Sequence, residues 1–425
     1  MDCGMIRQYG MQAIGMLKEN RLISMISIIG TAVAIAMIMV VVFVLQIQWV
    51  NYYPEYHRDR TLQVQSLRVS YENGNVSGGS LGLEPVREIF YPLRSVEAVT
   101  AIAYTDRTLS LQGRRSNKTY RVKYVDDGFW KVFGFRFLEG KPFSEEEFLS
   151  GVRQMVLSKR VARRLFGSDE AVGKEILVDV TPYTVCGVVE NVSKVANTAY
   201  AEAWVPYTCE SELRMSSFHE HTLGNFSVCL LAPATGDFPA IRQEIAHRLG
   251  AYQATKKEVK VEFLDYIYTR FDLAIGSAGL DRVELRDFLP ETGCLLLFLL
   301  LVPALNLLGV TRSSVLKRRA EMGVRKAFGA TRGTLMTQIL SENLVLTLIG
   351  SLVGLLLSLL FLYIGKSFML SDPDAALSGE MLFQPMVFLA AFFCCLLLNV
   401  LSAGLPTWFI VRQPICESLK DHEER

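Results

Sequence analysis

The sequence lacks the signatures of a self-contained enzyme. Gly365-Lys366-Ser367 matches the end of a Walker A phosphate-binding loop, but Leu360 stands where that loop requires its first glycine. We interpret the tripeptide as the end of an apolar helix whose lysine reaches the membrane interface. The eight cysteines form no C-x-x-C pair and no zinc-binding spacing, and no ordered catalytic triad is evident. We therefore expect no catalytic residue, no metal site and no cofactor in this chain itself.

Charge is nearly absent from four long stretches, and half of the 425 residues are hydrophobic. The net charge is only +1, which gives no indication of nucleic acid as a partner. Each stretch is long enough to cross a hydrocarbon core of about 30 Å as a helix. We predict transmembrane helices at 22–46, 289–311, 341–365 and 384–411.

The flanking charges predict an orientation. Lysine and arginine mark the N-terminus (1–21), the C-terminus (412–425) and the loop 312–340, which we place in the cytoplasm. Residues 366–383 then form a short periplasmic loop, and the large segment 47–288 also lies outside. The first stretch exceeds the apolar core of a signal peptide, so we predict an uncleaved anchor.

Residues 47–288 have the composition of a soluble domain. Apolar periodicity predicts strands at 61–70, 96–104, 108–112, 120–125, 176–180, 183–189, 226–231 and 258–263, helices at 83–93, 159–166 and 238–249, and a loop at 73–82. Thr181-Pro182 is the expected hairpin turn, and Ser158 and Gly167 should cap helix 159–166. These elements show no regular βα alternation, which favours α+β. The predicted fold class is a membrane protein with four transmembrane α-helices and a large α+β periplasmic domain between helices 1 and 2.

Several polar groups in this domain have two interpretations. His219, His221 and His247 could bind a metal, but solvated loop histidines are the simpler interpretation. The basic face of helix 159–166 could bind an acidic partner or simply face solvent. Cys186, Cys209 and Cys229 are odd in number, so at most one disulfide forms among them, and Cys186 and Cys229, which lie in apolar strands, could simply be buried thiols.

Polar residues inside predicted spans are costly and suggest a role. Asn306, Asn343 and Asn399 could form hydrogen bonds between helices. Glu342 could pair with Arg325 or Arg332, or could instead reach the interface without any role in signalling.

The loop 312–340 contains one acid, Glu321, against seven lysines and arginines. Its apolar residues follow a helical spacing, Gly329 is expected to end that helix, and Thr331 is a suitable N-cap for the next one. Taken alone, this pattern also fits a membrane-surface helix on anionic lipid.

Glu321 through Thr331 resembles the E-[IM]-G-[IV]-R-K-A-x-G-A-[ST] signature of ABC-transporter permeases of the MacB/FtsX type. In that family the segment is the coupling helix, which docks on an ATPase. The resemblance implies that the ATPase, with its ATP and Mg²⁺, is a separate partner subunit. It assigns coupling to Glu321, Met322, Gly323, Val324, Arg325, Lys326, Ala327, Phe328 and Gly329.

A second resemblance covers much of 47–288. Asp127–Trp130, Phe135–Phe143, Val156–Gly167, Val172–Lys174 and Tyr183–Val189 resemble the MacB-type periplasmic core domain. It implies a permease subunit in the inner membrane that transmits motion from ATP hydrolysis to its periplasmic domain, for efflux of a drug, peptide or envelope component. The implied partners are a second permease chain in a homodimer or heterodimer, the ATPase subunits, membrane lipid, and in an export system a periplasmic adaptor and outer-membrane channel.

Two other functions use the same architecture. One is an FtsX-like regulator of periplasmic cell-wall hydrolases, and the other is a lipoprotein-releasing permease. A membrane-tethered enzyme would require a catalytic constellation, which we do not find in the sequence.

Overall fold

The computed structural model describes residues 21–46, 50–113, 118–211, 221–256, 259–290 and 331–369, together with Val324, Phe328, Gly329 and a few helical residues in 293–301 and 389–397. Packing divides the chain into two units. We call the unit built around Leu45–Phe288 the large domain. The helical unit contains most of two long helices from the flanking segments.

The described elements are given in chain order. The helices are α1 Arg21–Gln46, α2 Leu83–Pro85, α3 Phe129–Val132, α4 Glu145–Leu149, α5 Lys159–Phe166, α6 Phe238–Thr255, α7 Arg270–Ala274 and α8 Arg332–Met369. The strands are β1 Thr61–Val64, β2 Leu67–Tyr71, β3 Val76–Gly79, β4 Ala98–Ser110, β5 Thr119–Val125, β6 Phe137–Gly140, β7 Gln154–Ser158, β8 Glu175–Val178, β9 Thr181–Val189, β10 Ala203–Pro206, β11 Ser227–Leu231, β12 Val259–Glu262 and β13 Ile267–Thr269. A π-helical turn, Val86–Phe90, continues α2.

Six strands of the larger sheet form a closed ring, in the order β4-β5-β10-β7-β9-β8. Strand β8 returns to β4 through the pair Leu109↔Val178, so the ring has no open edge. The long strand β4 makes this possible, because its first half pairs instead with β11. From there β1 and β13 extend the sheet outward.

A smaller sheet, β12-β2-β3, corrects two predictions. The predicted strand 61–70 is two strands in different sheets, since the chain leaves the larger sheet after Val64 and enters the smaller one at Leu67. The predicted loop 73–82 contains β3, which pairs with β2. Its glycines and serines concealed a strand that tertiary pairing stabilises.

Two further boundaries differ from the sequence prediction. The predicted strands 96–104 and 108–112 are one strand, β4, because β5 pairs with it continuously from Ile102 to Thr108. The β8–β9 turn falls at Asp179-Val180 rather than Thr181-Pro182, and Asp179 adopts φ 55°. Aspartate tolerates this left-handed conformation better than a β-branched residue.

The core of the large domain is aromatic. Trp130 packs edge-on against Phe129, Phe135, Phe137, Phe143 and Trp204, with ring centroids 5.2–6.4 Å apart. Trp204 is fully buried and donates its indole N–H to the carbonyl of Ala199 at 3.1 Å. Edge-to-face pairs contribute roughly 0.5–1.5 kcal/mol each beyond their burial, so this cluster is a main source of the domain's stability.

In the helical unit, α8 is 38 residues long, about 57 Å at 1.5 Å per residue. Its segment Leu344–Phe361 is long and apolar enough to cross a membrane, and it is the one such helix among the described residues. In α1 the described apolar stretch is shorter, Ile28–Val41. The predicted spans 289–311 and 384–411 lie largely outside the described residues, so the count of four remains a prediction.

Candidate functional site

The described part of 321–331 contains a helical turn that ends at Gly329, three residues before α8 begins. The amide of Phe328 donates to the carbonyl of Val324 at 3.0 Å, which closes one helical turn. Gly329 follows with φ 92°, a left-handed conformation that ends the helix at low steric cost. Thr331 Oγ1 then accepts from the amide of Thr334 at 3.3 Å, one residue before α8 begins. The predictions for Gly329 and Thr331 thus agree with the local geometry.

The apolar side chains described in this turn are not covered by the rest of the described chain. Phe328 is 89% exposed and Val324 is 49% exposed. The two side chains are four residues apart on one helical turn, so they share a face and form a small continuous apolar surface of the kind that binds a partner or a membrane. The other coupling residues, Glu321, Met322, Gly323, Arg325, Lys326 and Ala327, lie outside the described residues, so their role stays a prediction.

About 20 residues after the turn, α8 packs closely against α1 through two glycines. A Cβ at Gly350 would lie 2.8 Å from Thr31 Cβ, and one at Gly354 would lie 2.7 Å from the carbonyl oxygen of Ala32. Our sequence interpretation missed this contact, although the signal was present as Gly350-x-x-x-Gly354 in an apolar stretch. The buried hydroxyls near it are satisfied within α8, since Ser351 donates to the carbonyl of Thr347 at 2.6 Å.

The predicted intramembrane polar residues are less informative. Asn306 and Asn399 lie outside the described residues. Glu342 and Asn343 belong to α8, ten or more residues after its start, but the positions of their side chains are not described. Lys366, in the tripeptide that resembles a Walker A motif, also lies within the continuous helix α8.

In the large domain, a buried ionic cluster lies just after α1 in the sequence. Arg58 donates to Glu55 Oε2 at 2.5 Å, and both side chains are at most 3% exposed. Arg58 also bonds to the Tyr52 hydroxyl and to the carbonyl of Val195, while Glu55 Oε1 accepts from the amide of Ala199 at 2.9 Å. The cluster thereby fixes the loop 195–199 against residues 52–58.

A polar cleft of about 400 Å³ opens beside this loop. It is lined by Gln63, Gln65, Ser66, Ser80, Ile102, Tyr104, Arg121, Lys123, Asn197, Thr198, Asn225 and Ser227. Lys123 is 4% exposed and donates to the carbonyls of Asn197, at 2.8 Å, and Thr198. Burial lowers the pKa of Lys123 to about 7, so this amine is partly neutral near neutral pH.

Ser80 in this cleft belongs to a G-x-S-x-G sequence, Gly78-Gly79-Ser80-Leu81-Gly82, which is also the spacing found around the catalytic serine of many hydrolases. A nucleophile elbow holds its serine in a strained strand-to-helix turn. Among the described residues only Asp179 and His221 combine a side chain with positive φ, so Ser80 is unstrained. Gly82 in this sequence has a packing role instead, because a Cβ at this position would lie 2.2 Å from the His221 carbonyl oxygen.

A second buried ionisable group, Asp126, lies outside the lining of this cleft, and its carboxylate is hydrogen-bonded. Its carboxylate accepts from the hydroxyls of Thr100, at 2.7 Å, and Tyr91, at 2.6 Å, and from the amides of Ala101 and Phe129. Burial nevertheless raises the pKa of Asp126 to about 6. The group ties β4 to the turn before α3 and is best explained as structural.

The remaining candidates have structural explanations. On the basic helix α5, Arg163 binds Asp169 at 2.5 Å and Arg160 binds Glu202 at 3.2 Å, so much of its charge is neutralised internally. Cys186, Cys209 and Cys229 are free thiols, and burial raises the pKa of Cys209 to about 11 and of Cys186 to about 12. Within the described residues no cluster of metal ligands occurs. His219 of the proposed histidine pair lies outside them.

Two protein-family profiles match successive parts of the chain. The family profile described as MacB-like periplasmic core domain matches residues 24–248, and the profile described as FtsX-like permease C-terminal matches residues 293–415.

Two curated relatives illustrate the similarity. The uncharacterized ABC transporter permease YknZ of Bacillus subtilis is 26% identical over 264 residues, 62% of each chain. The macrolide export ATP-binding/permease protein MacB of Chromobacterium violaceum is 27% identical over 282 residues, which are 66% of this chain and 40% of that protein. The matched region therefore spans less than two thirds of either relative. The crystal structure of the extracellular domain of YknZ aligns over 47% of this chain and all of that domain, with 20% identity and a TM-score of 0.32.

Proposed function

This chain belongs to the family of ABC transporter permeases with a MacB-like periplasmic core domain and an FtsX-like C-terminal domain, and from that premise we propose that it transmits the motion of an ATPase to its periplasmic domain. Membership makes it a membrane protein with a periplasmic domain. From the family resemblance of 321–331 we assign ATP and Mg²⁺ to a separate ATPase subunit that docks at this segment.

The observation that carries the proposal is the exposed Phe328, which lies four residues before the start of the continuous helix α8. Gly329 ends the helical turn, and α8 begins at Arg332 after its N-cap Thr331. A helix with intact hydrogen bonds is stiff along its axis, so displacement at the turn would be delivered along α8. Through Gly350 and Gly354 it would reach α1. The chain then runs from α1 into the residues of the ionic cluster, Tyr52 to Arg58.

In the complete assembly, we propose two permease chains, as a homodimer or heterodimer, with two ATPase subunits. Export of a drug, peptide or envelope component would add a periplasmic adaptor and an outer-membrane channel. Regulation of a cell-wall hydrolase would replace these with a periplasmic enzyme. Co-purification from native membranes distinguishes the two, because the bound proteins differ.

The docking step is tested by Phe328→Ala in the full chain. Interfaces concentrate their energy in a few buried aromatic anchors, so we expect binding of the co-purifying ATPase to weaken by about 2 kcal/mol or more. Val180→Ala is the matched control, because Val180 is also highly exposed but lies in the large domain. If Phe328→Ala retains the ATPase as well as Val180→Ala does, the turn is not the docking site.

The predicted four-span topology is tested separately by cysteine labelling in intact cells. An impermeant reagent should label Ser150→Cys and Ser216→Cys, which we place outside. Ser313→Cys and Lys420→Cys should be protected until the membrane is permeabilised. Labelling of Ser313→Cys in intact cells would overturn the orientation.

A further inference from the structure

The cleft beside loop 195–199 has the composition of a binding site for a small anion. Its lining contains two cationic side chains, Arg121 and Lys123, and no carboxylate, and Asp106, outside the lining, forms an exposed ion pair with Arg121 at 3.6 Å. The rest is mainly amide and hydroxyl groups, with the exposed ring of Tyr104 at the edge, where the Arg121 guanidinium lies 5.5 Å from its centroid. Polar groups converging in a cleft fix the orientation of a ligand and give specificity, and a lining with as few apolar side chains as this one suits a hydrophilic ligand.

Lys123 points most directly to the charge of that ligand. An ammonium group has three donors, and Lys123 uses two of them on the carbonyls of Asn197 and Thr198. Among the described residues no carboxylate forms an ion pair with its nitrogen: Glu55 acts on it from further away and is itself paired with Arg58. Arg121 and the Cys229 thiol are the other ionisable groups that act on it. Because burial lowers its pKa, this amine is only partly charged near neutral pH, and a bound anion would compensate the desolvation of its charged form.

The wall of the cleft is held in place before any ligand arrives. Gln63 donates its amide to Thr198 Oγ1 at 3.0 Å, which orients the side chain and leaves its amide oxygen as an acceptor. Glu55 and Arg58 hold the same loop through Ala199 and Val195. A site whose side chains are already ordered loses less entropy on binding.

We propose that this cleft binds a small hydrophilic ligand that carries a carboxylate, with Lys123 and Arg121 as its ionic contacts and Gln63 as a hydrogen-bond partner. The carboxylate would accept the third Lys123 donor. The ligand could be a sugar acid or an acidic peptide fragment, which share this chemistry. Because loop 195–199 is bonded to residues 52–58, which follow α1 in the sequence, binding would also stabilise the start of the domain.

The ligand chemistry is tested by calorimetric titration of the full chain in lipid nanodiscs with paired probes. Glucuronate and glucose differ in a carboxylate, and N-acetylglutamate and N-acetylglutamine isolate one carboxylate on a peptide-like frame. We expect one acid to bind at millimolar concentration and at least tenfold more tightly than its neutral counterpart. The acid that binds identifies the source. Equal binding of acid and neutral probe in both pairs, or no binding of either acid, would overturn the proposal.

The role of Lys123 has a signature that a merely structural residue would lack. Binding of an anion should raise the Lys123 pKa, which burial holds near 7, so binding at pH 8 should take up close to one proton. Titration in buffers of different ionisation enthalpy measures that uptake. Lys123→Met should abolish the uptake and weaken binding roughly tenfold or more.

Arg121→Gln provides a second variant that leaves the core intact, because Arg121 is 48% exposed. We expect it to weaken binding several-fold and to preserve the proton uptake. Lys131→Gln, which removes a 65% exposed lysine outside the cleft, is the control. Binding that is unchanged in both Lys123→Met and Arg121→Gln would show that the acid binds elsewhere, and would overturn the assignment.

Discussion

The large domain and the helical unit bury different kinds of surface. In the large domain the biggest side chains are inside, as with Trp204 at 0% exposure, and buried polar groups such as Arg58 and Asp126 are hydrogen-bonded. On α8 the largest side chains face outward, with Leu352, Leu356 and Phe361 each 61% exposed, while glycine and small hydroxyl residues form the contact with α1. Water as the surrounding solvent accounts for the first arrangement. Lipid accounts for the second, because hydrocarbon gives no reason to bury leucine and leaves close packing as the main attraction.

The largest expected effect follows from the aromatic core. Phe129→Ala removes a fully buried ring that contacts Trp130, Phe133 and Phe135, and should destabilise the large domain by about 3–5 kcal/mol. Leu356→Ala, in the exposed face of α8, should change the stability of the helical unit by less than about 0.5 kcal/mol. Urea unfolding followed by tryptophan fluorescence measures the first, since the ring of Trp130 reports on the core. Similar losses in both variants would contradict the difference in solvent between the two units.

The units also differ in buried charge. In the described part of the α1–α8 contact the buried polar groups are hydroxyls, such as Thr31 and Ser351, whereas the large domain buries Lys123. Because burial lowers the pKa of Lys123 to about 7, the unfolded chain binds this proton more tightly than the folded domain does. The contribution to stability therefore rises as pH increases from 7 to about 10, by roughly 2–4 kcal/mol.

Lys123→Met should flatten that rise, as measured by urea unfolding at several pH values. Lys131→Met should keep the wild-type slope, because Lys131 is exposed. Asp126 acts in a separate window with the opposite slope: burial raises its pKa to about 6, so its contribution to stability falls as pH rises from 4 to 6. A slope above pH 7 that persists in Lys123→Met would show that other groups control it.

Sequence reasoning succeeded where the information was local. Helix α5 has the predicted bounds because its ends are specified by neighbours: Ser158 accepts from the amide of Val161, and Gly167 adopts φ 77°. The same holds for Gly329 and Thr331 beside α8. Each of these devices acts within four residues of the chain, so the pattern alone contains the necessary constraint.

It failed where distant residues decide the outcome. The division of 61–70 into two strands depends on pairing with β11 and β12, which follow about 160 residues or more later. The cleft unites Gln63, Lys123 and Thr198 from three separate segments, and the burial of Lys123 has no signal in the surrounding sequence. The coupling residues came from a family resemblance, and most of them remain untested by the structure.

The glycine contact in the helical unit should give an intermediate effect. Gly354→Ala places a methyl group 2.7 Å from the Ala32 carbonyl oxygen and 2.9 Å from Ile35 Cβ, so the helices must separate. Overpacking of this kind costs about 1–3 kcal/mol. Gly333→Ala is the control in the same helix, because the nearest atom to its new Cβ is 3.9 Å away, and alanine should stabilise the helix by up to about 1 kcal/mol. Unfolding in mixed detergent micelles measures both, and the comparison fails if the two substitutions change stability in the same direction.

The smallest effect tests a device that the two units share. Ser158 caps α5 in the large domain, and Thr331 caps α8 after the exposed turn. Each hydroxyl satisfies one amide at a helix N-terminus, so Ser158→Ala and Thr331→Ala should each cost about 1 kcal/mol.

The functional consequences of losing the two caps should nevertheless differ. The Ser158 side chain is buried at 3% exposure and α5 packs on the domain, so loss of the cap should lower only the unfolding midpoint. Thr331 is exposed between Phe328 and α8, where fraying of the first turn would weaken the connection from the turn to the helix. If the proposed transmission is correct, Thr331→Ala should reduce stimulation of the bound ATPase while the ATPase still co-purifies. Normal stimulation in Thr331→Ala, with fraying confirmed by faster amide exchange at Thr334, would show that a stiff connection at this point is not required.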